Sequence, residues 1–256
     1  GIVSRGTTIE GLVKERTYTG IYFIVGLAIL MLIVAWYGYK NIKQQVELAQ
    51  IKSEFVSNVS HELRTPLALI NMFIETLSMG RIKSEEKRDE YYSIIHKETE
   101  RLSKIVNKIL NFSKIEAGKW KYVFHTADLN LLAEQVCNNY RFHLEQSGFD
   151  FVFEAYNGPL NSTIDAESVS EALINLIDNA VKYSADQKYI AVRAGRENNF
   201  VYVEVEDKGT GIAKEEQNKI FDKFYRSKSD NIHNAKGTGL GLTLVKLIVE
   251  ANKGQI

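Results

Sequence analysis

The chain has 256 residues, and its 32 basic residues balance its 32 acidic ones, so the formal net charge is zero. This balance gives no overall positive field of the kind that binds nucleic acid. The single cysteine, Cys137, excludes an internal disulfide and favours a reducing compartment for most of the chain. The length allows one to three domains.

The first strong pattern in the chain is an apolar run. Residues 1–20 are mixed in character and too few for a domain, and we expect a short extracytoplasmic stub there. Residues 21–39 are all apolar, aromatic or glycine, and as a helix they would span about 28 Å, enough for a hydrocarbon core. Aromatic residues at the end of the run are typical of a membrane interface. We predict a transmembrane helix over 21–39, although the flanking basic residues do not orient it.

Residues 40–50 contain no glycine or proline and predict a connecting helix. Residues 51–118 then carry two amphipathic stretches, and the apolar positions of the first recur at helical spacing. These positions are Phe55, Val59, Leu63, Leu67, Ile70, Ile74 and Leu77. The first stretch ends near Gly80, and the second covers 85–117. Two long amphipathic helices and a short loop predict a helical hairpin, and its uncovered apolar stripes favour a dimeric four-helix bundle over a monomeric hairpin packed on the next domain.

The opposite face of the first hairpin helix carries His61, which is followed directly by Glu62. A neutral imidazole is a competent nucleophile near pH 7, and an adjacent carboxylate can accept or orient the proton of its other ring nitrogen. A solvated surface histidine is the ordinary interpretation of a lone residue of this type. A zinc site of the His-Glu-x-x-His type is excluded, because Thr65 stands where the second histidine is required.

From residue 119 onward the pattern becomes mixed, and it predicts an α/β domain over 119–256. The predicted helices cover 128–147, 166–183 and 240–252, and the predicted strands cover 149–155, 189–194 and 200–206. On the helix over 166–183, Asn175 and Asn179 share one face. An amide oxygen is a ligand that Mg²⁺ accepts.

Glycine-rich motifs follow the strands of this domain. Asp207 ends a strand and is followed by Gly209 and Gly211, so a carboxylate there can accept a hydrogen bond from the amine of adenine while the backbone passes close to the base. Residues 221–226 place aromatic side chains in a polar segment and suggest a lid. Residues 237–241 open the last helix with three glycines, an arrangement that can hold phosphate. Their spacing fits neither a P-loop nor a Rossmann fingerprint.

The chain resembles the sensor histidine kinases of bacterial two-component systems over about residues 51–256. The resemblance is carried by the His-Glu-Leu-Arg-Thr-Pro-Leu stretch and by the four downstream motifs, which follow it in the order found in that family. The resemblance implies that His61 is phosphorylated from ATP and that the phosphoryl group passes to an aspartate of a response regulator receiver domain. It implies Glu62 as general base, Thr65 as a residue that orients a hydrolytic water, and Asn179 as the Mg²⁺ ligand. It implies an α/β sandwich of the kind shared with DNA gyrase and certain chaperone ATPases. The implied nucleotide-contacting residues are Asn175, Asn179, Lys182, Tyr183, Asp207, Gly209, Gly211, Ile212, Phe221, Phe224, Arg226, Gly237, Thr238, Gly239, Leu240 and Gly241.

The same resemblance implies a homodimer in the bacterial inner membrane, with a single span in this chain and the kinase region in the cytoplasm. Family members normally continue with one or two more strands, so we expect the domain to extend beyond Ile256, and a start at Gly1 without methionine predicts a fragment end. Two alternatives stay open: a member that acts mainly as a phosphatase on the response regulator, and a non-catalytic membrane scaffold. A gyrase-like ATPase is disfavoured by His61 and by the apolar run.

Overall fold

The longest element is helix α1 (Ile9–Ser78), in a computed structural model that describes residues 9–80, 82, 84–184, 187–225 and 239–256. The chain divides into two units at Ser53, and each is described by itself. In the first unit an 18-residue window of α1 has a mean hydropathy of 2.3, and none of this window is buried. The ammonium group of Lys40 lies 5.7 Å from the centre of the Trp36 ring. By length and composition this helix can cross a membrane, as predicted.

The second unit opens with two helices, the part of α1 from Glu54 to Ser78 and α2 (Glu85–Glu116), which together are called the hairpin below. Helix α2 begins at the N-cap Ser84, whose side chain accepts a hydrogen bond from the backbone N–H of Lys87. Glutamates in its first turn suit the positive end of the helix dipole. Near the loop, the rings of Phe73 and Tyr91 pack edge to face at 4.7 Å. The predicted hairpin is confirmed, within one residue at the end of α2.

One copy of the hairpin leaves much of its apolar surface uncovered. In the described part of the hairpin, the exposed large apolar side chains are Val56, Leu67, Met72, Ile74, Tyr92, Val106 and Leu110. Two of them, Leu67 and Ile74, belong to the stripe that the sequence predicts to be buried, and each is about half exposed. These residues need a partner surface if they are to leave water.

The rest of the second unit, called the C-terminal domain below, contains two small sheets and three helices. Strands β1 (His125–Asp128) and β3 (Asn161–Ile164) pair antiparallel. The second sheet has the order β2–β4–β5 and contains β2 (Asp150–Glu154), β4 (Tyr189–Glu197) and β5 (Phe200–Asp207). The helices are α3 (Leu129–Gln146), α4 (Ala166–Tyr183) and α5 (Gly241–Ala251).

The core of this domain lies between the larger sheet and the helices α3 and α4. Strand β4 is central, parallel to β2 and antiparallel to β5, so that Val192 lies opposite both Phe153 and Val205. Leu144, Leu160, Ile177, Ile190 and Val192 are fully buried in one continuous cluster. Helix α5 packs on α4 through a second cluster of buried apolar residues that includes Leu244 and Ile248. A sheet covered by helices confirms the predicted α/β sandwich.

Helix α4 is fixed at its start by a polar network that the sequence reading did not predict. The carboxylate of Asp165 accepts the backbone N–H of Ser168 at 2.7 Å and that of Val123, in the segment after α2, at 2.6 Å. Its own N–H donates to the side-chain oxygen of Asn252, just after α5, at 2.8 Å. Asp165 is buried, and its cap therefore joins three distant segments.

Cys137, the single cysteine of the chain, lies in the core on α3 and is fully buried. Burial raises the pKa of its thiol to about 11. A buried thiol of this kind packs as a small apolar side chain and is chemically inert.

Candidate functional site

The second unit contains a cavity of about 1580 Å³ that is lined by both the hairpin and the C-terminal domain. From the C-terminal domain it takes residues of α4, the end of β5, the segment after β5 and the first turn of α5. From the hairpin it takes one side of α2 and a single residue of α1, Glu62. The nucleotide motifs predicted from the sequence and the residue next to His61 therefore line the same space.

The two asparagines predicted on one face of α4 both line this cavity. Asn175 is buried, and its side-chain nitrogen donates to the carbonyl of Glu171 at 2.8 Å. Its side-chain oxygen is buried and accepts no hydrogen bond from any described residue. A Cβ at Gly241 would lie 3.3 Å from the Asn179 side-chain nitrogen, so this glycine lets α5 start close against both amides. A buried oxygen of this kind fits a site that a donor or a cation completes.

The end of α4 brings Lys182 and Tyr183 to the cavity. The Lys182 ammonium donates to the Tyr183 hydroxyl at 2.9 Å and lies 4.6 Å from the centre of its ring. Among the described residues, Lys182 forms no ion pair with a carboxylate. The Lys182 ammonium therefore lies at the cavity wall against a hydroxyl and an aromatic ring, and its contact with a nucleotide stays a prediction.

The turn after β5 packs directly on the end of α4. Asp207 accepts the N–H of Gly209 at 2.8 Å. A Cβ at Gly209 would lie only 2.3 Å from the carbonyl oxygen of Tyr183, so no other residue fits without a shift of the backbone. Asp207, Gly211 and Ile212 line the cavity. The predicted adenine motif and the α4 motif are therefore neighbours.

On the hairpin, Glu62 is held by an arginine that sequence reasoning missed. The Glu62 carboxylate lies 3.2 Å from the guanidinium of Arg101 on α2, and Arg101 also pairs with Glu98 at 3.6 Å. His61 is exposed, and the Thr65 hydroxyl donates to the His61 carbonyl at 3.2 Å. The general-base role of Glu62 and the water-orienting role of Thr65 stay predictions. Arg101 could have been noticed as a basic residue on the inner side of α2.

The third nucleotide motif contacts the hairpin. The ring of Phe224 lies 4.5 Å from that of Phe55 and 5.5 Å from that of Phe112, with a positive φ of 65° at Phe224. Lys223, in the same motif, lies 2.9 Å from the Glu116 carboxylate. In this arrangement neither Phe221 nor Phe224 lines the cavity, whereas their neighbours Ile220 and Tyr225 do.

The last motif is described only in part. Gly239 and Gly241 line the cavity, and Leu240 is buried in the core as the N-cap of α5. Arg226, Gly237 and Thr238 lie outside the described residues, so their predicted phosphate contacts stay predictions.

Two family models match the chain, in the order that the sequence motifs predict. Residues 51–118 match the His Kinase A (phospho-acceptor) domain. Residues 164–256 match the family of histidine kinase-, DNA gyrase B- and HSP90-like ATPases. A phospho-acceptor hairpin followed by this ATPase domain defines a histidine kinase. This chain carries both domains in that order, which supports the resemblance to the bacterial sensor histidine kinases of two-component systems.

Similar proteins agree with this assignment. The sensor protein kinase WalK of Staphylococcus saprophyticus is 34% identical over 218 residues, which cover 84% of this chain and 35% of that protein. Drug sensory protein A of Synechocystis is 38% identical over 236 residues, covering 85% of this chain and 34% of that protein. A structure of the histidine kinase ThkA in complex with the response regulator protein TrrA has a TM-score of 0.57 at 27% identity, covering 85% of this chain and 60% of that one. The chain spans about a third of the length of these two curated relatives.

Proposed function

We propose that this chain is an ATP-dependent histidine kinase that phosphorylates His61 and passes the phosphoryl group to an aspartate of a response regulator. One observation supports this most strongly: a single cavity is lined by the nucleotide motifs and by Glu62, the residue next to His61. ATP bound by the C-terminal domain would thus face the helix that carries the acceptor. The response regulator in the ThkA structure supports the choice of partner class.

In this proposal the chain's own residues position the reaction. Asp207 accepts the hydrogen bond of adenine, and Lys182 faces the phosphates. A lone pair of the His61 imidazole forms the N–P bond to the γ-phosphorus while the bond to the bridging oxygen breaks and ADP leaves. The proton of the other ring nitrogen passes to Glu62. Because Glu62 pairs with Arg101 in this structure, that ion pair must loosen before Glu62 accepts the proton.

The residues at the cavity also fit Mg²⁺. Among the described residues, no group of three or more His, Cys, Asp or Glu side chains could hold a metal by itself. The ion typically keeps few protein ligands and binds substrate phosphates as well. Asn179 would hold it, with the unpartnered oxygen of Asn175 beside it. When bound, the ion would neutralise negative charge on the phosphates.

The test is incubation of the full chain in membranes with γ-labelled ATP. We expect acid-labile, base-stable label in the wild type, none in His61→Gln, and unchanged nucleotide binding in that variant. His96→Gln is the matched control, because His96 is an exposed histidine on α2 that should keep the label. Retained base-stable label in His61→Gln would overturn the assignment. Asn179→Ala should abolish Mg²⁺-dependent nucleotide binding.

The opposite activity, dephosphorylation of the response regulator, is a second candidate. Its support is the position of Thr65, exposed one helical turn after His61, with its hydroxyl on the His61 carbonyl. Thr65→Ala should keep His61 phosphorylation and lose dephosphorylation, and Thr65→Ser should restore it. Equal loss of both activities in Thr65→Ala would indicate a damaged helix next to Pro66 instead.

We further propose that the chain is a homodimer anchored in the bacterial inner membrane, with residues 40–256 in the cytoplasm. The exposed apolar stripe of the hairpin supports the dimer, and the apolar window of α1 supports the anchor. The orientation follows from the proposed kinase activity, because the C-terminal domain must lie on the side of the membrane that holds ATP. Protease digestion of sealed inner-membrane vesicles of known sidedness tests this orientation. The C-terminal domain should be cleaved only in vesicles whose cytoplasmic face points outward.

A further inference from the structure

Helix α2 contributes a row of cations to the cavity wall. Arg101, Lys104 and Lys108 all line the cavity and are spaced by three and four residues, so they share one side of the helix. Arg101 is paired with Glu62 and Glu98. Lys108 lies nearer the other end of α2, opposite the nucleotide motif of α4, and the proposed kinase mechanism does not use it.

The surroundings of Lys108 are unusual for a lysine. Burial lowers the pKa of its ammonium group, while the carboxylates of Asp178 and Glu171 act in the opposite direction and the charge of Lys182 adds to the lowering. Among the described residues, Lys108 forms no hydrogen bond and no ion pair. Asp178 instead accepts the hydroxyl of Tyr140 at 3.2 Å. A desolvated ammonium without a close acceptor is costly unless an anion completes its surroundings.

Lys108 and Lys182 thus line one cavity from two different domains, near enough to repel each other, and among the described residues neither forms an ion pair with a carboxylate. Asn175 and Asn179 lie on the same face of α4 as Lys182 and line the same space. Two such cations beside two amides are suited to a polyanion, because each negative oxygen relieves the repulsion between them.

We infer that Lys108, although carried by the hairpin, binds the phosphate chain of the nucleotide that the C-terminal domain holds. This inference rests on the proposed ATP-binding function. Lys108 is then a positioning residue, because it links nucleotide occupancy to the arrangement in which α2 faces α4. A nucleotide with more phosphates favours that arrangement more strongly, since it gains a contact that only the hairpin provides. The competing role for Lys108 is to offset the charges of Asp178 and Glu171, with no ligand contact.

The experiment is calorimetric titration of the full chain in detergent with adenosine and with AMPPNP, a non-hydrolysable ATP analogue, in the presence of Mg²⁺. We expect Lys108→Gln to weaken AMPPNP binding about tenfold and to leave adenosine binding within about twofold. Lys108→Arg should restore most of the AMPPNP affinity, because it keeps the positive charge. The matched control is Lys97→Gln, an exposed lysine on α2, which should change neither affinity.

Two results would overturn the inference: unchanged AMPPNP affinity in Lys108→Gln, or equal weakening of AMPPNP and adenosine, which indicates an altered cavity shape. If Lys108→Gln unfolds at a lower temperature, Lys108→Met keeps the apolar stem, and the same pair of titrations decides with that variant. Failure of the proposed function looks different. In that case the wild-type chain itself binds no AMPPNP, and this result overturns the inference together with the proposed function.

Discussion

The hairpin and the C-terminal domain belong to one unit and are stabilised in different ways. The C-terminal domain buries a continuous apolar cluster between its sheet and its helices. In the described part of α2 the one buried residue is Phe112, whose ring is in contact with Phe224 of the C-terminal domain. The domain supplies its own core, whereas the hairpin depends on surfaces outside itself.

This difference indicates where the molecule can move. The uncovered hairpin stripe suits a second copy of the chain, and the contact between Phe224 and the rings of Phe55 and Phe112 is small. A rigid domain held to a hairpin by a few side chains can change its position without loss of its fold. Such movement is what the proposed phosphoryl transfer from a bound nucleotide to the exposed His61 requires.

The largest effect should come from the core of the C-terminal domain. Ile177 is fully buried, and we expect Ile177→Ala to lower the free energy of unfolding of this domain by about 2–5 kcal/mol. Urea unfolding followed by circular dichroism measures it, with Leu131→Ala, an exposed leucine on α3, as the control with little effect. Because this core is internal, the loss should not depend on protein concentration. A concentration-dependent loss would show that the domain is not self-sufficient.

The hairpin should behave in the opposite way. Ile74→Glu places a charge in the uncovered stripe, and we expect the dissociation constant of the dimer to rise about a hundredfold, since a buried unpaired charge costs several kcal/mol. Analytical ultracentrifugation in density-matched detergent measures the dimer, and Glu75→Gln, at an exposed neighbouring position, serves as the control. Nucleotide affinity should not change. An intact dimer in Ile74→Glu would mean that the stripe has another partner.

A smaller effect is expected at the cap of α4. Asp165→Asn should destabilise the C-terminal domain by about 1 kcal/mol, because its carboxylate accepts backbone N–H groups of Val123 and Ser168. Burial raises the pKa of Asp165, but these hydrogen bonds outweigh it, so the pKa lies below the ordinary value of 3.8. The stabilisation is therefore complete above that value and is lost as the pH falls through the lowered pKa.

Thermal unfolding of the wild type and of Asp165→Asn at several pH values measures this dependence. The two curves of stability against pH should differ at pH 7, begin to approach each other below 3.8, and converge only as the pH falls through the lowered pKa of the wild-type carboxyl. Ser170→Ala provides a control on the same helix. A constant difference at all pH values would assign the effect to shape and not to charge.

The smallest effect should be at the ion pair between Lys223 and Glu116. Both side chains are more than 40% exposed, so the pair should contribute less than about 0.5 kcal/mol to the contact between the domain and the hairpin. A double-mutant cycle of Lys223→Met and Glu116→Gln, followed by thermal unfolding, measures it. A coupling energy well above 1 kcal/mol would show that this contact is stronger than its exposure suggests.

Much of the fold could be predicted from the sequence, because its long elements have clear periods. The end of α1 at Ser78 and the bounds of α4 agree with the apolar spacing and the cap residues. Strands β1 and β3 were missed, since four residues are too few for alternation to be visible. Their pairing depends on segments more than thirty residues apart, which no local pattern reports.

In the candidate site, too, local motifs could be predicted and contacts between distant segments could not. The motifs located Asn175, Asn179 and Asp207, which the structure brings to one cavity. The pairing of Glu62 with Arg101 and the packing of Phe224 on Phe55 could not be predicted, because they join residues 39 and 169 positions apart. Such contacts follow from the way the hairpin and the domain are placed, which the sequence does not encode in any single stretch.

The burial of Cys137 makes the chain well suited to spectroscopy. Burial raises the pKa of the Cys137 thiol to about 11, so little of the reactive thiolate is present at pH 7, and the surrounding core keeps reagents away. A maleimide dye or a nitroxide spin label would therefore react with an introduced cysteine and leave the native one untouched. One label at Lys97 on α2 and another at Glu197 at the end of β4, both exposed, would report the distance between hairpin and domain as nucleotide is added, in an otherwise natural chain.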